Sequence, residues 1–167
     1  MKKIGFVGVG IMGKSMVRNL MKAGFEVSIY TRTKSKVEDV IGEGAIWCDS
    51  VAECAKGRDA VISIVGYPKD VIEVYFGPAG ILANADPGTY VIDMTTTSPK
   101  LAVQIFDEAE KLGLHAIDAP VTGGDSGAKA GTLTILAGGK KDDFDTCMPV
   151  FEAMGKNIND EGKAGNG

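Results

Sequence analysis

The chain has 167 residues, 44% apolar and 24% charged, with no low-complexity tract, which fits one ordinary globular domain and excludes a disordered chain. A formal net charge of −4 gives no electrostatic footprint for nucleic acid, so any bound phosphate must be held locally by backbone amides and one or two cations. Cys48, Cys54 and Cys147 are widely spaced without a metal-ligand pattern, and glycines with Lys14 and Arg18 interrupt the apolar start; this argues against a disulfide framework, a zinc site, a signal peptide or a membrane span, and for a reducing cytoplasm.

In chain order, Ile4 to Val9 is a short apolar run ending in glycines, and Met12, Met16, Leu20 and Ala23 have helical spacing closed by Gly24. Strand, turn and helix are predicted there. Val27 to Tyr30 reads as a second strand, Ser35 opens a short helix carrying Val37, Val40 and Ile41, and Ala45 to Trp47 follows as a short strand. Ser50 with Glu53 has the form of a capping box, predicting a brief helix from Val51 to Ala55. Asp59 to Val65 and Thr89 to Met94 are nearly continuous apolar runs, as in strands buried on both faces of a parallel sheet, and a helix around Lys69 to Phe76 lies between them. Ser98-Pro99 starts a helix carrying Leu101, Ile105, Ala109 and Leu112, stopped by Gly113. Strands at Leu114 to Ile117 and Thr132 to Ala137, a helix through Phe144, Cys147, Phe151 and Met154, and a last strand near Lys156 to Asn159 complete the pattern. Strands alternating with helices predict an α/β, Rossmann-like doubly wound fold, a mainly parallel sheet with helices on both faces and ligands at the carboxyl ends of its strands.

Three segments after strands carry chemistry. Gly8-Val9-Gly10-Ile11-Met12-Gly13 is GxGxxG between the first strand and first helix. Gly8 permits the tight turn, Gly10 the approach of a pyrophosphate and Gly13 close helix packing, while the helix start at Ile11 and Met12 offers free N–H groups; the bland alternative is a glycine-rich turn without a ligand. An NAD-preferring site usually has an acid about twenty residues further on, yet this chain has Thr31-Arg32-Thr33-Lys34-Ser35-Lys36. Arg32 and Thr33 suit a 2′-phosphate, with Lys34 and Lys36 adding positive potential, so NADP is preferred over NAD unless this is merely a solvated basic loop. Asp118 to Gly124, then Gly127, Ala128 and Gly131, implies close approach of something: Thr122 with the amides of Gly123 and Gly124 could receive a carboxylate, or the loop could pack on a neighbouring domain. His115 reads as a packing or edge residue, and Asp93 and Asp118 form neither triad nor metal site.

The two long motifs, Gly5 to Gly13 and Asp118 to Gly131, resemble in order the amino-terminal part of the β-hydroxyacid dehydrogenase family, whose members include 3-hydroxyisobutyrate dehydrogenase, tartronate semialdehyde reductase and 6-phosphogluconate dehydrogenase. The resemblance implies that Thr96 contacts the nicotinamide end and that the turn Val65, Gly66, Tyr67, Pro68 passes beside the ribose or phosphates. It also implies that Thr122, Gly123 and Gly124 hold a small-molecule carboxylate substrate. The family usually has Ser at Thr122 and often Asn at Thr31. Gly162 to Gly167 resembles the run leading into a helix that bears the family's catalytic lysine. Residues 1–161 are thus expected to form the NAD(P)-binding domain and 162–167 to begin a linker to a helical domain, through which the parent would form a homo-oligomer. On this reading no catalytic residue lies within the chain, and the parent transfers hydride between NADP and a small β-hydroxyacid or its semialdehyde. An imine reductase domain and a non-enzymatic dinucleotide-sensing module are the alternatives.

Overall fold

A computed structural model describes residues 1–167. Strands β1 (Lys3–Val7), β2 (Glu26–Tyr30), β3 (Ile46–Trp47), β4 (Ala60–Ser63), β5 (Tyr90–Asp93) and β6 (His115–Asp118) form one sheet in the order β3-β2-β1-β4-β5-β6, every neighbour parallel. The chain winds outward from β1 to one edge, then returns to β4 and winds to the other, which puts the topological switch between β1 and β4. β4 is buried at all four positions, as its continuous apolar run predicts.

Helices α1 (Ile11–Lys22), α2 (Glu38–Gly42), α3 (Val51–Ala55), α4 (Pro68–Tyr75), α5 (Ile81–Asn84), α6 (Pro99–Lys111), α7 (Gly124–Ala130) and α8 (Lys141–Met154) cover the two faces. Alternation along the strands divides the core. Ile4, Phe6, Ile62 and Ile92 pack with Met16 and Leu20 of α1 and Phe151 of α8, whereas Val7, Val61 and Val91 face Val71 and Tyr75 of α4 and Ile105 of α6. The predicted caps form: the Glu53 N–H donates to Ser50 Oγ at 3.1 Å, and the Leu101 N–H to Ser98 Oγ at 3.1 Å.

Four local expectations are corrected. The strands near 133–137 and 155–160, β8 (Leu133–Ala137) and β9 (Gly155–Asp160), do not extend the main sheet; with β7 (Val121–Thr122) they make a second, three-stranded sheet, β7 antiparallel and β9 parallel to β8. An antiparallel bridge between Asp118 and Gly138 joins the two sheets, so the chain doubles back after β6 instead of crossing over again. The segment after Gly123 is a helix rather than a loop, because the buried Gly127 and Ala128 let it pack on α1, where Asn19 Nδ2 donates to the Ala128 carbonyl at 2.7 Å. The helix opening at Ser35 is split into a 3₁₀ turn at Lys34–Lys36 and α2, and Leu112 caps α6 from the surface rather than entering the core.

One polar network sits within the apolar layer under α4. Ser63 Oγ donates to Asp93 Oδ1 at 3.1 Å and lies 2.6 Å from Tyr75 Oη; because its proton is spent on the carboxylate, the tyrosine hydroxyl is the donor in the shorter bond. The Thr95 N–H gives Asp93 Oδ1 a second bond at 3.1 Å, while Oδ2 is buried without a partner. Burial outweighs these donors and pushes the Asp93 carboxyl up to about 6. A folded-state value above the unfolded one means the native protein holds the proton more tightly, so this group's contribution to stability falls as pH rises from about 4 to about 6. The stability difference between the native chain and Asp93→Asn should therefore shift against the native chain by about 2 kcal/mol between pH 4 and 7. Denaturant unfolding at both pH values reads this, and a pH-independent difference contradicts it.

Candidate functional site

β1 ends one residue before a turn that only glycine can make. Gly8 has φ +94, and a Cβ there would lie 2.0 Å from the Ile64 carbonyl oxygen at the end of β4. Its N–H donates to the Tyr30 carbonyl at 3.0 Å and the Ile64 N–H to the Val7 carbonyl at 3.0 Å, so the turn is fixed against β2 and β4 together. A Cβ on Gly13 would lie 2.8 Å from the Gly8 carbonyl oxygen, and α1 consequently rests directly on the turn.

The amino terminus of α1 is left open. Gly10 provides no side-chain cap, the first turn contains no acid, and the N–H groups of Ile11, Met12 and Gly13 have no acceptor within the protein. A Cβ on Gly10 would meet nothing within 4 Å. Free donors, a positive helix end and open space beside them suit a phosphate or pyrophosphate. These groups form one end of a cleft of about 640 Å³ at the β1–β4 switch.

Of the residues singled out in the sequence, Gly8, Gly10, Ile11, Met12, Gly13, Thr31, Arg32, Thr33, Val65 and Gly66 line this cleft together. Tyr67 and Pro68 lie beyond its wall, as N-cap and first residue of α4. Thr96 is exposed on the β5–α6 turn, and its neighbour Thr95 points inward, its Oγ1 accepting the Val65 N–H at 3.0 Å and tying two of the turns together. Thr122, Gly123 and Gly124 are exposed outside the cleft wall, but the next residue, Asp125, is part of it. Sequence reasoning missed Thr95, Asp70, Val74 and Asp125; Thr95 and Asp125 each adjoin a chosen residue, whereas Asp70 and Val74 had no local signal.

Arg32 lines the same cleft from the turn after β2. Its Nη2 is 3.1 Å from Asp70 Oδ1 and 3.4 Å from Glu73 Oε2, both on α4, and Asp70 Oδ2 also accepts the Tyr67 N–H at 3.1 Å as part of a capping box. Asp118, at the end of β6, accepts the N–H groups of Gly165 at 2.9 Å and Gly167 at 2.8 Å, so residues 162–167 fold back against the β6 end. Desolvation raises its carboxyl above the ordinary range. His115 is the packing residue expected, stacked on Tyr90 with centroids 4.5 Å apart and Nδ1 3.0 Å from Asp143 Oδ1. No helix is long and apolar enough to cross a membrane.

A glycine turn, an open helix end and a cleft at the switch point of a doubly wound sheet define a dinucleotide-binding domain. The chain belongs to the family described as the NAD binding domain of 6-phosphogluconate dehydrogenase, whose model matches residues 3–162. It is 52% identical over 166 residues to an uncharacterized oxidoreductase, YkwC, of Bacillus subtilis, covering 99% of this chain and 58% of that protein. It is 40% identical over 167 residues to an NAD-dependent L-serine dehydrogenase of Pseudomonas aeruginosa, covering all of this chain and 56% of that one. Among solved structures, Mycobacterium tuberculosis 3-hydroxyisobutyrate dehydrogenase with L-serine superposes with a TM-score of 0.94 at 33% identity, covering 100% of this chain and 56% of the other. The chain thus spans little more than half the length of these relatives.

The two turn glycines should separate folding from binding. Gly8→Ala forces both a disfavoured φ and a backbone collision and should cost at least about 3 kcal/mol of stability. Gly10→Ala should keep stability within about 1 kcal/mol yet weaken dinucleotide binding at least about tenfold, because its methyl enters the space a pyrophosphate would take. Thermal melts paired with calorimetric titration check both; loss of fold in the Gly10 variant, or unchanged binding, contradicts the assignment.

Proposed function

We propose that this chain is the NADP(H)-binding half of an oxidoreductase that moves a hydride between the nicotinamide and the hydroxyl-bearing carbon of a small β-hydroxyacid or its semialdehyde. The observation that carries the reading is the open start of α1, where three unpaired amides lie at a cleft that Arg32 also lines. The dinucleotide, when bound, supplies the hydride chemistry, and the protein's part is to hold, orient and charge-match it.

Within that reading the amides of Ile11, Met12 and Gly13 take the pyrophosphate, and Arg32 and Thr33 take the 2′-phosphate, with Lys36 adding potential from the cleft wall. Val65, Gly66, Tyr67 and Pro68 pass beside the ribose and phosphates. Thr96 meets the nicotinamide end, and Thr122 with the Gly123 and Gly124 amides receives the substrate carboxylate where the start of α7 reaches the cleft at Asp125. Similarity to an L-serine dehydrogenase and to a 3-hydroxyisobutyrate dehydrogenase seen with L-serine supports a small 3-hydroxy carboxylate as the substrate class. The resemblance to β-hydroxyacid dehydrogenases assigns acid–base chemistry to a lysine in the part of the parent enzyme outside these residues, together with a helical domain that closes the site and builds a homo-oligomer. The three free thiols suit a reducing cytoplasm.

Calorimetric titration of this chain with NADPH and NADH, alongside a hydride-transfer assay over small hydroxyacids and semialdehydes, tests the proposal. NADPH should bind more tightly, and Arg32→Asp should reverse the order, since a charged contact of this kind is worth about 1.5–3 kcal/mol. Binding should occur without turnover. Equal affinities defeat the cofactor assignment, and robust turnover shows that the acid–base group has been misplaced.

A further inference from the structure

Two acids act on the residue that would read the adenosine 2′ position. Arg32 Nη2 touches Asp70 Oδ1 at 3.1 Å and Glu73 Oε2 at 3.4 Å. Arg32 and Asp70 both line the cleft, Arg32 from the turn after β2 and Asp70 from the first turn of α4, so the ion pair joins two walls of the cleft. With Lys36, which makes no ion pair, the four groups sum to zero charge. A locally neutral cluster gives little net attraction to a phosphate dianion, and the two carboxylates repel it.

We propose that Glu73, together with Asp70, sets the dinucleotide choice of this cleft by neutralising Arg32, so that the preference for a 2′-phosphate is held well below what an unopposed arginine would give. This rests on the reading that Arg32 meets the 2′ group. The two acids have different parts. Asp70 is 12% exposed and anchored by the Tyr67 N–H, a fixed charge that cannot leave without uncapping α4. Glu73 is 74% exposed, and Arg32 is its only ion-pair partner. It is therefore the adjustable member, and a bound 2′-phosphate must displace it or sit against it. A ribose 2′-hydroxyl carries no charge, and both carboxylates can accept from it, so the same arrangement leaves NADH binding unpenalised.

The test is a double-mutant cycle on the 167-residue chain: native, Glu73→Gln, Arg32→Ala and the double variant, each titrated calorimetrically with NADPH and with NADH at one ionic strength. Glu73 is exposed and caps nothing, so its variant leaves the fold intact. Glu73→Gln should raise NADPH affinity about two- to fivefold, the range an exposed ion pair supports, and leave NADH affinity unchanged. On the Arg32→Ala background that gain should vanish. An unchanged NADPH to NADH ratio in Glu73→Gln, or an equal gain with Arg32 removed, overturns the proposal while the role of Arg32 stands. If Arg32→Ala alone leaves the ratio at its native value, Arg32 does not meet the 2′ group, and the underlying reading fails in a way that the cycle separates from the first two outcomes.

Discussion

The fold depends on one close approach, the turn at Gly8 against the carbonyl of Ile64. Any side chain there would push the ends of β1 and β4 apart at the place where the chain's winding reverses. Because glycine lets the two backbones touch, α1 begins immediately, with Gly13 seated on the Gly8 carbonyl and the first amides of the helix opening into the switch-point cleft. A buried helix end without acceptors would cost several kcal/mol; here the donors face open space that a ligand can enter. The same backbone contact thus serves stability and leaves an open, uncapped helix end beside it.

Local signals made much of this legible. The fingerprint glycines mark a strand-to-helix turn by their spacing, β4 shows its double burial as an unbroken apolar run, and Ser50 and Ser98 announce their helices three residues ahead of the bonds they accept. What escaped was set by partners distant in sequence. α7 contains no large apolar residue and so has no apolar periodicity to read; it is helical because its buried Gly127 and Ala128 let it lie on α1. β8 is buried at alternate positions and β9 is mostly exposed, unlike the continuously buried β4, but nothing local tells which strand each of them pairs with. Thr95 and Thr96 differ only in which of them turns inward at the strand end.

Arg32 illustrates the limit at the site itself. Its place after β2 is visible in the sequence, and so is the absence of an acid beside it. Its counter-charges are not, for Asp70 and Glu73 lie 38 and 41 residues further on and meet it only because α4 packs across the switch from β2. A specificity residue inferred from the loop alone therefore overstates its free charge. The surrounding field, and not the identity of one side chain, decides how strongly a phosphate is drawn in.

The central claim, that the open start of α1 receives the diphosphate of a dinucleotide, is tested most directly by following backbone amide resonances of the isotopically labelled chain during titration with NADPH. The account predicts that the largest shifts fall on Ile11, Met12 and Gly13, with smaller ones along Thr31 to Thr33 and Val65 to Gly66. Saturable binding that leaves those three amides unmoved, with its shifts gathered instead around the pocket between α6 and residues 164–166, would contradict it.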